Sequence, residues 1–255
     1  NASVKYIRNK VRHKVIPILQ EINPHVLESF QNTLEYLNES QSLINDATKN
    51  ISEQVVSYKH NLLTLNCKKL NELPNKKAYL YQLLHTFGFT AWNDVVDLVS
   101  GQPGKQVFSK THRLLKDRNF LILTTNNQNL TEKGPFVIKE TSTEISHPIK
   151  LTILNTTDST PESNHQIIIN KDLVTYPLSL KKWHHGDAMH PTGMKGSKKI
   201  SQLFKDKKLS LLDKEKIWLL TDAKDHIIWV IGLRQDRRYL ANKTSKNRLK
   251  ISYLS

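Results

Sequence analysis

Cysteine occurs once, as Cys67. No intrachain disulfide and no cysteine-based zinc site can form, and a lone cysteine reads as a small buried apolar residue. It fits a reducing, cytoplasmic compartment. Glycine is also scarce: there are eight, none next to another. No G-x4-G-K-[ST] is present, which excludes a P-loop nucleotide site, and no G-x-S-x-G, which excludes a nucleophile elbow. No paired-carboxylate arrangement stands out. Long apolar runs are missing too. The longest, about Ile227–Leu233, is far short of the ~20 residues that cross a bilayer. No signal-peptide pattern opens the chain. An initiator Met is absent, and the helical pattern of Val4–Ile22 begins abruptly, as expected of a segment of a longer protein.

What is present is enough for packed cores. The chain has 255 residues, 38% of them hydrophobic, with four tryptophans. That length suits two domains. The formal net charge is +15, and it is unevenly spread. Residues 1–20 carry five basic groups and no acid, residues 21–180 net −1, and residues 181–255 carry 18 basic and 7 acidic groups. Polycationic ends around an ordinary middle point to a polyanion, nucleic acid first. The alternative is a lysine-rich face that only solubilises.

Residues 5–22 read as a helix with Ile7, Val11, Val15, Ile18 and Ile22 on one face and a kink at Pro17. Asn23-Pro24 reads as a restart, with Asn23 as N-cap. Phe30, Leu34, Leu37, Ile44, Ile51, Val55, Tyr58, Leu62 and Leu65 then recur in steps of three and four, broken by Gln41 and Thr48. This predicts one helix of roughly 40 residues, about 60 Å long. Its stripe either packs against the following helices, the preferred reading, or forms a seam for a homodimer. Helices are expected over Lys76–Phe87, capped by Gly88, and over Trp92–Ser100. Gly101–Gly104 is a turn. A hairpin of Gln106–Ser109 and Phe120–Thr124, joined by a basic turn, follows. The polar Asn126–Asn129 is the expected domain boundary. Beyond it, strands are predicted at Phe136–Lys139, Ile149–Leu154, Gln166–Ile169, Ser179–Trp183, Ile217–Leu220, Ile227–Ile231 and Arg248–Tyr253, with one helix at Lys198–Phe204. The fold class is therefore α+β: a tail over 1–24, a mostly helical domain over 25–128 and a basic β-rich domain over 129–255.

The densest chemistry lies in Trp183–Lys208, with six lysines and three glycines. Gly193 and Gly196 allow a tight turn, and Ser197 is a natural N-cap. Lys198 and Lys199 would then sit in a helical first turn, opposing its dipole. That cost suggests an anion held between the lysines and the helix end. Lys195, Lys205, Lys207 and Lys208 extend the basic surface. Arg234, Arg237 and Arg238 are suited to grip phosphate bidentately; pairing with Asp236, Asp222 or Asp225 is the equal alternative. His184, His185, Asp187 and His190 lack metal-ligand spacing, and Trp183 reads as a core anchor. No metal site is expected.

The pattern W-x2-G-D-x3-P-x-G-M-K-G-x-K-K-I-S-x2-F-x-D-x-K over Trp183–Lys208, followed by I-x-W-V-x-G-L-R-x-D-x-R-Y over Ile227–Tyr239, resembles the C-terminal region of the tRNA(Ile)-lysidine synthase family. Arg8-Asn9-x2-Arg12 looks like the motif that closes that family's catalytic domain, and Ser100–Gly104 is similar to its middle domain. The resemblance is specific over the last 75 residues and weaker along the long helix. It implies a ligase that uses ATP, with Mg²⁺, to adenylate the wobble cytidine of a CAU anticodon, after which L-lysine displaces AMP. The family's S-G-G-x-D-S loop is not in this sequence, so ATP and Mg²⁺ belong upstream of residue 1, and no cofactor is expected here. The resemblance implies that these domains grip and discriminate tRNA(Ile). It places Lys195, Lys198, Lys199, Lys205, Lys207, Lys208, Arg234, Arg237 and Arg238 on the tRNA, and Arg8 and Arg12 near the junction with the catalytic domain.

Overall fold

The computed structural model describes residues 7–59, 61–126, 134–163, 165–242 and 244–254. The chain divides into two compact units, Asn1–Asn126 and Asn127–Ser255. The 128/129 boundary expected from sequence falls outside the described residues, as do Asn127–Asn129 of the polar linker and Val4–Tyr6 of the first helical pattern.

The first unit opens with helix Ile7–Lys10, a π-helical turn Val11–Val15, and helix Ile16–Ile22. Pro17 explains the π turn. It has no N–H to give to the carbonyl four residues back, and the chain rewinds: the Ile16 N–H bonds to the Val11 carbonyl, five residues earlier. Asn23 is not the N-cap of the next helix. Its N–H closes the preceding helix on Leu19, and its side chain accepts from the His25 N–H at 3.0 Å. The long helix starts at Val26 and ends at Val55, 30 residues rather than 40.

The shortfall has a clear cause. Residues 56–66 form strands Val56–Lys59 and Leu62–Asn66, paired antiparallel with Ser57 opposite Thr64. Steps of three and four carry on through Tyr58, Leu62 and Leu65, but β-branched Val55-Val56 and Asn61, at φ 60, favour a hairpin. This hairpin belongs to a five-stranded antiparallel sheet, completed in order by Phe120–Thr125, His112–Asp117 and Gln106–Phe108. The basic turn expected between the last two predicted strands therefore contains a strand. Leu114, Leu115 and Lys116 are all buried there, and Lys116 Nζ donates to the Val99 carbonyl at the C-terminal end of helix Trp92–Ser100. A cation at that end is favourably placed. Helices Lys76–Leu84 and Trp92–Ser100 lie where expected, and Gly88 at φ 76 ends the His85–Phe87 turn. The unit's core gathers Val55, Leu65, Leu70, Leu80, Leu84, Val95, Leu98, Leu114 and Leu121. Of the long helix's stripe, only Ile51 and Val55 join it. Phe30, Leu34, Leu37 and Ile44 are exposed, so the stripe packs internally only at its C-terminal end.

Among its described residues the second unit holds a short two-stranded ribbon and two larger antiparallel sheets. One orders Arg234–Gln235, Ile227–Val230, Leu219–Thr221, Leu178–Lys181 and Phe136–Ile138; the other orders Glu144–Ile145, Lys150–Asn155, Arg248–Leu254 and Gln166–Asn170. They share one apolar core around Ile138, Leu151, Ile169, Leu180, Ile228, Trp229 and Ile251. Helix Ile200–Asp206 contributes Ile200, Leu203 and Phe204 to a second cluster with Leu219, Ile227 and Val230. Strand Ile227–Val230 is buried at all four positions, which is why it reads as a continuous apolar run rather than an alternation. Helix Leu211–Lys216, absent from the sequence expectation, begins with a capping box of Ser210 and Asp213.

Candidate nucleic-acid interface

The basic motif folds as a ribbon and a docked loop. After strand Leu178–Lys181, Trp183 packs edge-on against Phe204, with ring centroids 5.3 Å apart. The chain turns at Gly186, φ 100. Asp187 locks this turn: its carboxylate accepts from the His184 N–H at 2.7 Å and from Lys181 Nζ at 3.4 Å, and its carbonyl accepts from the Ile200 N–H. Ala188–Met189 then pairs with Lys198–Lys199 in a short antiparallel ribbon. The loop between them turns at Gly193, φ 78, and Gly196, φ 90. No neighbour lies within 4 Å of where a Cβ would stand at either glycine, so backbone conformation, not crowding within the unit, demands them.

The loop is tied down by the segment after strand Ile227–Val230. Asp236 is fully buried. Its Oδ2 accepts from the His190 N–H at 2.7 Å and from Arg238 Nη2 at 3.0 Å; its Oδ1 accepts from the Arg238 N–H at 2.9 Å and from Nε at 3.0 Å. Hydrogen bonding to Asp236 is the main cause that raises the Arg238 pKa. The Arg237 N–H bonds to the His190 carbonyl at 2.8 Å, its Nη1 to the Met194 carbonyl at 3.1 Å, and the Thr192 N–H to the Gln235 carbonyl at 3.2 Å. Arg237 and Arg238, both exposed, thus brace the loop from the surface, and acid pairing holds for Arg238.

The positions of the lysines correct the sequence reading. Lys198 and Lys199 lie in the ribbon, not in a helical first turn. Helix Ile200–Asp206 starts after them, with Lys199 at its N-cap position and no side-chain cap. Ser197 is an exposed loop residue. Strand alternation sends the two lysines to opposite sides: Lys198 is half-buried and bonded to Asp206, while Lys199 faces solvent. That bond is the first cause holding the Asp206 carboxyl below its usual range. Lys195 is exposed between the two glycines. Lys205, Lys207 and Lys208 are exposed at the end of the helix, and Arg234 is exposed on its strand. Arg8 and Arg12 are exposed on the helical segment of the first unit.

Several cations of the second unit are spent on structure. Lys250 pairs with Asp158 and Glu162, Lys171 with Glu140, and Lys181 with Asp187 and Asp225. Lys182 escaped sequence reasoning. Its Nζ donates to the Glu215 carbonyl at 2.7 Å, closing helix Leu211–Lys216, and sits 3.9 Å above the Trp218 ring. Burial pushes its pKa down to about 8. Among the described residues, Lys195, Lys199, Lys205 and Lys207 pair with no carboxylate. Neither does any group of His, Cys, Asp and Glu there form a metal-binding cluster, and no helix is long and apolar enough to cross a membrane. The arrangement offers protruding ammonium groups on a braced loop, ribbon and helix, which suits a phosphate backbone.

Known proteins match this pattern. Residues 53–127 match the family described as TilS substrate binding domain, and residues 178–251 match that described as TilS substrate C-terminal domain. A tRNA(Ile)-lysidine synthase of Parabacteroides distasonis is 34% identical over 260 residues, covering 100% of this chain and 58% of that protein. One from Bacteroides thetaiotaomicron is 30% identical over 248 residues, covering 96% and 55%. One from Bacillus subtilis is 26% identical over 258 residues, covering 92% and 54%. The chain spans a little over half the length of these curated relatives.

Proposed function

We propose, since the chain belongs to the tRNA(Ile)-lysidine synthase family and corresponds to its C-terminal substrate-binding domains, that it holds tRNA(Ile) for a ligase reaction performed elsewhere in the protein. The observation that carries this reading is the set of exposed, unneutralised lysines, Lys195, Lys199, Lys205 and Lys207, on one braced loop–ribbon–helix unit. Such cations bind by releasing counterions from phosphates, and read A-form RNA through its shape and 2′-hydroxyls rather than through a base code. Braced backbone keeps them placed without ordering costs at each encounter. This reading gives the chain no ATP or Mg²⁺ of its own, in keeping with eight scattered glycines that spell no phosphate loop. ATP, Mg²⁺ and L-lysine are assigned to the part of the relatives that this chain does not match. A cytoplasmic location goes with this reading.

The test is a filter-binding titration of tRNA(Ile) at several salt concentrations with Lys195→Ala and Lys199→Ala. Each substitution should weaken binding and reduce the slope of log K against log salt by about 1. Lys198→Ala should change the slope far less, because Lys198 is already bonded to Asp206. Slopes identical to wild type for both Lys195→Ala and Lys199→Ala would refute the assignment.

The exposed stripe of Phe30, Leu34, Leu37 and Ile44 favours a second reading for that helix alone, self-association into a homodimer. Light scattering that stays monomeric up to high concentration would reject it.

A further inference from the structure

The first unit carries a cleft that the tRNA-holding reading leaves unused. It lies between the start of helix Lys76–Leu84 and helix Trp92–Ser100, with a volume of about 660 Å³, within the ~300–1,000 Å³ range of small-molecule sites. Tyr81 and Trp92 line it, their ring centroids 4.9 Å apart and their planes tilted by 60°. Tyr81 is 45% exposed, although its ring is large and apolar. His85 stacks on it at 5.2 Å and 15°, extending the aromatic surface.

The rim is cationic. Lys76 Nζ donates to Asn71 Oδ1 and Lys77 Nζ to Asn93 Oδ1, each at 2.9 Å. Neutral amides hold both lysines in place without cancelling their charge. The residues lining the cleft include these two lysines and no acid, and Gln82 adds an amide with both donor and acceptor capacity. An apolar protein side chain would need the rings but not the two cations. A free phosphate would need the cations but not the rings.

We propose that this cleft takes one unpaired nucleotide of the bound tRNA, its base against Tyr81 and Trp92 and its phosphate beside Lys76 and Lys77. Unstacked bases of RNA loops are commonly held this way, on aromatic faces beside basic side chains. The inference rests on the tRNA-holding reading and adds to it a single-strand contact in the first unit. The cleft then reads looped RNA while the basic loop of the second unit reads backbone.

The experiment uses the whole chain, a tRNA(Ile) transcript and a single-stranded RNA 8-mer containing 5-iodouridine. Tyr81→Ala should weaken 8-mer binding roughly 10-fold, within the range for one lost base–aromatic stack. Tyr81→Phe should retain it, and Lys77→Glu should weaken it without touching the rings. Irradiation should leave the adduct on Tyr81 or Trp92, located by peptide mass spectrometry. If wild type binds the tRNA while Tyr81→Ala and Lys77→Glu bind the 8-mer unchanged, or the adduct maps elsewhere, the cleft is not a nucleotide site, though the tRNA reading stands. If wild type binds neither RNA, that reading falls and this inference with it.

Discussion

Replacing Asp236 with Asn should unfold the second unit at a much lower temperature while leaving every exposed lysine in place. The carboxylate is fully buried and accepts four hydrogen bonds, two on each oxygen. Asparagine keeps one oxygen and turns an NH₂ toward the donors of the other. Two charge-assisted bonds are lost, each contributing about 1.5–3 kcal/mol, and a cation loses its buried partner. Breaking a buried ion pair typically costs about 3–5 kcal/mol. Arg238 is 36% exposed and can turn toward water, so the expected cost is the lower end, about 3 kcal/mol. For a unit of this size that corresponds to roughly 10 °C in melting temperature. Differential scanning calorimetry measures the shift, and tryptophan emission assigns it, since Trp183, Trp218 and Trp229 all lie in this unit. Affinity for tRNA should fall as the loop at 190–196 loosens, but the salt slope should stay as in wild type, because no phosphate contact is removed. A melting temperature within about 2 °C of wild type would show that Asp236 is not the hub described here.

Lys182 should titrate near pH 8 in the folded chain, visible by NMR of its Nζ region. Its folded pKa lies below its unfolded value, so the unfolded chain binds more protons between about 8 and 10.5, and Lys182's contribution to stability rises with pH across that window. Urea midpoints of Lys182→Met should lack that rise; a parallel rise in the variant would refute it. Leu84→Ala, in the first unit's core, should cost about 2–5 kcal/mol, whereas Leu34→Lys, on the exposed stripe, should stay within about 0.5 kcal/mol at low protein concentration. Equal thermal shifts for the two would mean that the stripe is packed after all. Ser210→Ala should cost about 1 kcal/mol by opening the capping box of helix Leu211–Lys216; an unchanged urea midpoint would mean the box contributes nothing.

Much of the α+β fold was legible. Strand positions of the second unit follow from compact apolar runs such as Gln166–Asn170 and Ile227–Val230. Helix Trp92–Ser100 follows from its 3.6-residue periodicity. Failures came where two periodicities coincide or charge conceals burial. Residues 55–65 satisfy a helical stripe and a hairpin at once, and the hairpin wins by pairing with Phe120–Thr125, a partner far along the chain. His112–Asp117 looked like a basic turn because Lys116 is charged, yet its ammonium has a carbonyl waiting at a helix end.

For the candidate site, residue types and spacing alone determined that the chain is polycationic at its end and that Gly193 and Gly196 must turn; that the polyanion should be a tRNA came only from the motif's resemblance to a known family. Tertiary structure decided which charges remain available. Lys198 is tied to the Asp206 carboxylate and Arg238 to that of Asp236, whereas exposed Arg237 bonds to a neutral carbonyl, that of Met194. Lys195 and Lys199 stay exposed. Sequence could not make that division, because a cation is neutralised only where the fold brings a carboxylate within reach of it. His190 and Asp236, whose contact anchors the loop, are 46 positions apart.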